Sequence, residues 1–151
     1  MLHIKRYCCE DYEKWNEFNT TSKNGLFMFD RNYMDYHKER FKDHSLMFYD
    51  NEILVAMIPF SERENVLISH GGLTYGGFIL DDNSKQHDVI DFFDLLLDYC
   101  KKNGFKEIYY KQIPYLYHKQ PAEEDRYALF LMNAVIEKIE PATVVNLRNP
   151  L

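Results

Sequence analysis

The chain has 151 residues, 46% hydrophobic and 28% charged, which suits one globular domain with a substantial core and leaves two domains cramped. A net charge of -6 disfavours a general polyanion-binding surface, because nucleic-acid affinity rests mainly on clustered Lys and Arg, and leaves room for a local basic strip. Cys8, Cys9 and Cys100 are too few for a disulfide framework and point to reduced thiols in a cytoplasmic setting, and no run nears the roughly 18 apolar residues of a membrane span.

Leu2 to Tyr7 alternates apolar and polar residues and predicts a half-buried strand. Glu10 to Phe18 carries Tyr12, Trp15 and Phe18 at helical spacing. After the polar break Thr20 to Gly25 and the apolar run Leu26 to Phe29, Asp30 or Asn32 caps a second expected helix that holds Tyr33, Met34, Tyr36 and Phe41 and ends near Lys42. Leu46 to Tyr49 and Ile53 to Ile58, separated by Asp50-Asn51-Glu52, predict a hairpin. Pro59 ends its second strand or places it at an edge, and Ser61 to Asn65 reads as a charged turn into a strand at Val66 to Ser69. Asp81 to Ser84 offers N-caps for a helix reaching Asn103, with Val89, Phe92, Phe93, Leu96, Leu97 and Cys100 on one face. Asp88 and Asp91 early, Lys101 and Lys102 late, and Gly104 beyond the end agree with its dipole and a left-handed cap. Phe105 to Ile113 predicts a strand, Pro121 to Asp125 opens another helix, and Val135 to Leu147 predicts one or two closing strands interrupted by Pro141.

The least ordinary segment is Ser69-His70-Gly71-Gly72-Leu73-Thr74-Tyr75-Gly76-Gly77, which holds four of the six glycines. Glycine permits positive φ and close approach, so these pairs predict either main-chain amides bared toward a cleft or a bulged strand making room for packing. His70 is a candidate base or acyl-oxygen donor, with a structural histidine as the alternative. Tyr75 is a candidate hydrogen-bonding group, with core packing as the alternative. Lys111, Tyr115, Tyr117 and His118 lie at and beyond the end of a predicted central strand, where open α/β sheets bind ligands; the alternative is a solvated lysine and an aromatic-anchored loop. Glu123, Glu124 and Asp125 are explained by the helix dipole. His37 and His44 share a spacing of seven but lack a third ligand, so no metal site is expected.

The mixed strand and helix order implies an α/β sheet with helices on both faces, and it resembles the GNAT acyltransferase fold over essentially the whole chain. The glycine segment, together with Lys111-Gln112-Ile113-Pro114-Tyr115-Leu116-Tyr117-His118 and Pro121-Ala122-Glu123-Glu124-Asp125-Arg126-Tyr127-Ala128-Leu129-Phe130, resembles the first half of a bacterial GNAT-like group related to the Fem-type aminoacyl transferases. That resemblance implies transfer to an amino group of a cell-envelope or polysaccharide precursor. Gly71, Gly72, Gly76, Gly77, Lys111, Tyr117 and His118 are then substrate-binding, and His70 and Tyr75 catalytic. It implies a second GNAT-like half or a homodimer as partner, and an aminoacyl-tRNA donor. The alternative is a non-catalytic ligand-binding or assembly module derived from a transferase half.

The cofactor stays open. Acetyl-CoA relatives hold the pyrophosphate with an Arg/Gln-x-x-Gly-x-Gly/Ala turn before the long helix; here the place reads Leu80-Asp81-Asp82-Asn83-Ser84, whose two acids repel phosphate. No Tyr-x-Lys-x-Gly-Phe counterpart follows Phe130. A basic strip of Lys106, Lys111 and Lys119 with Tyr115 and Tyr117 is the candidate RNA contact.

Overall fold

The computed structural model describes residues 1 to 36 and 38 to 141. Strand β1 (Leu2–Arg6) leads through a short turn into helix α1 (Tyr12–Thr21); helix α2 (Arg31–Asp35) and strand β2 (Lys42–Asp43) follow. Next come β3 (Leu46–Asp50), β4 (Ile53–Ile58), β5 (Phe60–Arg63), β6 (Val66–Ser69) and β7 (Ile79–Leu80), then helix α3 (Gln86–Asn103), strand β8 (Glu107–Tyr109) and helix α4 (Glu124–Leu131). Two four-stranded sheet halves result, ordered β1-β3-β4-β7 and β2-β5-β6-β8. All pairings among the described residues are antiparallel except β6 with β8, so the sheet is mixed.

The hairpin forms as expected, with Asn51 taking the positive φ its turn demands and Leu46 facing Ile58 at the far end. Pro59 does more than end a strand. Lacking an N–H, it cannot continue the ladder, and the chain passes there from β4 in one half to β5 in the other. Phe60–Arg63 is therefore a strand, where the charges of Ser61 to Asn65 suggested a turn; the turn is confined to Glu64 and Asn65, with Glu64 at φ 56°.

Period-two alternation sends successive side chains to opposite faces. Leu46, Phe48, Ala56, Ile58 and Leu80 pack with Val89, Phe92, Phe93 and Leu96 of α3, whereas Met47, Tyr49, Met57 and Ile79 pack with Trp15, Phe18 and Phe29 on the other side. Helices thus cover both faces, as the order of elements implied. α3 stops at Gly104, whose φ of 79° supplies the left-handed cap, and starts one residue after the expected caps, where the Asp88 carboxylate accepts from the Lys85 amide.

Three expectations need correction. Helix α2 has five residues and does not reach Lys42; Asp30 caps it, accepting from the Asn32 amide at 2.8 Å, but Lys42–Asp43 is drawn into pairing with β5. Strand β8 has three residues, because its partner β6 ends at Ser69 and nothing extends the ladder toward Ile113. No strand forms over residues 135 to 141, where Val135, Ile136 and Ile139 are exposed; the remainder of the closing strands lies outside the described residues.

On the side away from β4 the backbone at Phe78 to Leu80 has no strand neighbour, because β8 has ended, and a side chain takes that place. Asn24 donates from Nδ2 to the Phe78 carbonyl at 2.8 Å and accepts at Oδ1 from the Leu80 amide at 2.9 Å. The Lys23 amide donates to the Leu80 carbonyl at 3.0 Å. Asn24→Ala leaves a buried donor and acceptor unmatched and should cost about 3 kcal/mol, read as a lower midpoint in urea unfolding.

Candidate functional site

The glycine segment is an excursion inside what would otherwise be one strand. β6 ends at Ser69, paired to Phe60, and the chain returns at Ile79, paired to Met57 in the other sheet half. His70 turns the chain at φ 47°, a left-handed conformation that costs a residue with Cβ about 1 kcal/mol, and its carbonyl accepts from the Leu73 amide.

The two glycine pairs divide. Gly71 is half-buried and Gly72 exposed, lining a pocket of about 170 Å³ with α2, the α2–β2 loop and Pro59. At Gly72, φ is 85° and a Cβ would collide with the Phe41 ring. Gly76 and Gly77 are buried. The Gly76 amide donates to the Lys111 carbonyl at 2.8 Å, and Gly77, at φ 93°, lets the Tyr110 hydroxyl come so near that a Cβ would lie 2.9 Å from it. Only the first pair therefore borders open space; the second serves close approach.

The two patches singled out from sequence meet. Lys111 Nζ donates to the carbonyls of His70 at 3.0 Å and Leu73 at 2.6 Å, while its amide donates to Ser69 Oγ. Burial pushes the Lys111 ammonium below its ordinary value. Tyr75 stacks on Tyr117 with ring centroids 5.4 Å apart and planes at 21°, and both rings are half-buried. Burial, then the Tyr117 ring beside it, raises the Tyr75 phenol. His70 itself is buried; its Nε2 meets the Met28 carbonyl at 3.0 Å and Nδ1 has no partner within hydrogen-bond geometry. His118 is half-buried on the Tyr117 side, and neither ring nitrogen has a partner in hydrogen-bond geometry.

The sequence reading missed a polar network below this cluster. The Tyr110 hydroxyl accepts from the Phe78 amide at 2.9 Å and donates to Asp125 at 2.8 Å, and Gln112 Nε2 donates to the other Asp125 oxygen at 3.0 Å. Burial raises the Asp125 carboxyl despite these bonds. Asp125 is more than a dipole charge, and a signal existed: it heads the stripe Asp125, Ala128, Leu129, Met132, an acid on the apolar face of α4. Glu124 likewise turns inward, where Lys23 Nζ donates to it at 2.6 Å and to the Ser84 carbonyl at 2.8 Å. Of the candidate RNA strip, Lys111 and Lys119 point their ammoniums at backbone carbonyls.

Solved structures of the same shape span nearly the whole chain. They include a possible acetyltransferase from Clostridium difficile 630 (12% identity, 97% of this chain and 99% of that one, TM-score 0.57). Others are an aminoglycoside N-acetyltransferase in complex with CoA (13%, 99% and 96%, 0.53) and glucosamine-6-phosphate N-acetyltransferase from Arabidopsis thaliana (12%, 97% and 99%, 0.52). The fold is that of the GNAT N-acetyltransferases. Neither a protein-family model nor a curated protein matches the sequence.

A GNAT fold raises the question of CoA, whose pyrophosphate would sit at the start of α3. The residues there do not fit it. Asp81 accepts from the Ser84 amide and hydroxyl, Asp88 accepts from the Lys85 amide, and Lys23 is committed to Ser84 and Glu124. A pyrophosphate would have to displace two carboxylates from the amides it needs. CoA added at a hundred times a working dissociation constant would stabilise a binder by about 2.7 kcal/mol; here thermal melting should show no shift.

Two buried histidines, His44 and His70, and the half-buried His118 contribute to the acid limb of stability. Burial lowers His70, His118 and His44, in the last case outweighing the Glu62 carboxylate beside it. Each base then binds its proton more readily when unfolded, so stability present above pH 6.5 is lost as pH falls through the depressed folded values. Asp125 acts with the opposite sign: its contribution is full below 3.8 and lost as pH rises through its raised value. His118→Gln should flatten the decline in urea midpoint measured from about pH 6.5 to 5 relative to wild type.

Proposed function

We propose that the chain is an acyl- or aminoacyl-transferase domain acting on an amino group of a cell-envelope or polysaccharide precursor, with a donor not carried by CoA at the α3 N-terminus. One observation supports the reading above the others: the glycine segment and the Lys111 to His118 segment, far apart in the sequence, close on one another through Lys111 and the Tyr75–Tyr117 stack on the GNAT fold. The envelope acceptor and the aminoacyl donor rest on the sequence resemblance, as does a second half or second copy completing the cleft.

Amide formation needs an amine that loses a proton and a carbonyl whose developing oxyanion is stabilised. His70 Nε2 must donate to the Met28 carbonyl in the neutral ring, so Nδ1 carries the free lone pair and is the proton acceptor. Tyr75, with its raised pKa, stays protonated near neutrality and donates a hydrogen bond. Two of the three Lys111 N–H groups are committed to carbonyls, and the third serves the oxyanion. Gly71 and Gly72 admit the acceptor, and Tyr117, with His118 next in the chain, bounds the Tyr75 side through its stack on that ring.

The occupied α3 N-terminus favours the second reading, a binding or assembly module without turnover. Offering aminoacyl-tRNA and acyl-CoA with amino-sugar acceptors separates the two. The transferase reading expects product with aminoacyl-tRNA and none with acyl-CoA, and a loss of about 10²-fold in kcat for Tyr75→Phe with little change in melting temperature. Ligand-induced stabilisation with no product from any donor would instead establish the module.

A further inference from the structure

We infer that the 170 Å³ pocket beside Gly71 and Gly72 binds a small molecule carrying an oxyanion together with a hydroxyl or amine, anchored by Arg31 and His70. Both residues line this pocket, and both are more than nine-tenths buried: Arg31 is 1% exposed and His70 8%. Both keep polar atoms that nothing in the protein satisfies.

The Arg31 guanidinium packs into the corner made by Tyr7 and Trp15, 3.4 and 4.0 Å from ring centres that are themselves 5.4 Å apart with planes at 72°. The two rings attract the cation but offer its in-plane N–H groups no oxygen or nitrogen acceptor. On one side Nη1 reaches Asp43 at 3.3 Å and Asp35 at 3.8 Å. Nε and Nη2 are buried without an acceptor. Those two nitrogens form the edge that grips a carboxylate or phosphate through parallel hydrogen bonds. His70 supplies the complement, because the Met28 carbonyl fixes its proton on Nε2 and leaves Nδ1 as a bare acceptor. An anion alone would satisfy Arg31 and leave Nδ1 unmatched, so the ligand needs a donor as well.

Charge at the rim agrees. Lys38 and Arg40 line the same pocket, are exposed and form no ion pair among the described residues, whereas the two acids of the lining, Asp35 and Asp43, already face Arg31. The volume is below the roughly 300 Å³ of ordinary drug-sized sites, which suits a ligand of a few heavy atoms or one end of a longer molecule. The inference stands on the pocket and does not require turnover.

The test is titration of the whole chain with glycolate, glycerol 3-phosphate and acetate, followed by the His70 imidazole NMR signals. Glycolate or glycerol 3-phosphate should shift them saturably below about 10 mM, and whichever acts identifies the anion as carboxylate or phosphate. Acetate, lacking the donor, should bind at least about tenfold more weakly than glycolate. Lys38→Ala with Arg40→Ala, both at exposed positions, should weaken binding several-fold and remove its salt dependence. Arg31→Lys keeps the charge without the fork and should abolish saturation while circular dichroism shows a folded chain. No saturable shift with either hydroxylated anion, or equal binding by wild type and the double variant, would overturn the inference and leave the pocket to ordered water.

Discussion

Five backbone groups between Gly76 and Leu80 lie inside the protein beyond the point where β8 has stopped pairing. A buried peptide group without a partner is costly, and an ordinary strand is not there to supply one. The chain recruits the Lys111 carbonyl, the Tyr110 hydroxyl, the Asn24 amide and the Lys23 main chain instead. Each recruitment fixes a segment: the loop after α1, the exit of β8 and, through Tyr110 and Asp125, the start of α4. The shape of the candidate site follows from closing this one gap.

That closure explains how fold and chemistry are linked. Drawing Tyr110 across to Phe78 needs Gly77 without a side chain, and it brings Lys111 beneath the turn at His70. The excursion from Ser69 to Gly77 then projects Tyr75 against Tyr117 at the rim and leaves Gly71 and Gly72 beside α2. Of the groups that fill the gap, Lys23 also reaches the start of α3, where Asp81 and Asp88 hold the local amides, so on this GNAT fold that helix end is given over to internal hydrogen bonds.

Local signals carried the sequence reading where structure is local. The hairpin, the α3 helix with its Gly104 cap and the alternation that buries both faces all come from near-neighbour patterning. The α/β class was legible for the same reason, and so were the glycine block and the Lys111 block as clusters of unusual residues; that the two meet was not, because the bonds joining them span about 40 residues. Misreadings fall where a distant partner decides. Lys42 leaves the helical pattern because β5 pairs with it, and Ser61 to Arg63 becomes strand because β6 lies alongside. Asn24, Tyr110 and Gln112 gave no local hint, because their roles exist only once residues 13 to 56 positions apart are brought together.

Lys23 illustrates what such long-range satisfaction means during synthesis. Its ammonium is 4% exposed and its charged partner, Glu124, lies 101 residues later. A nascent chain that has made α1, both sheet halves and α3 has only the Ser84 carbonyl to meet that charge, and burying it without its counter-ion is strongly unfavourable. The early segments therefore have little reason to lock before α4 leaves the ribosome, and truncation ahead of Glu124 would yield an open, chaperone-dependent chain in place of a smaller stable unit.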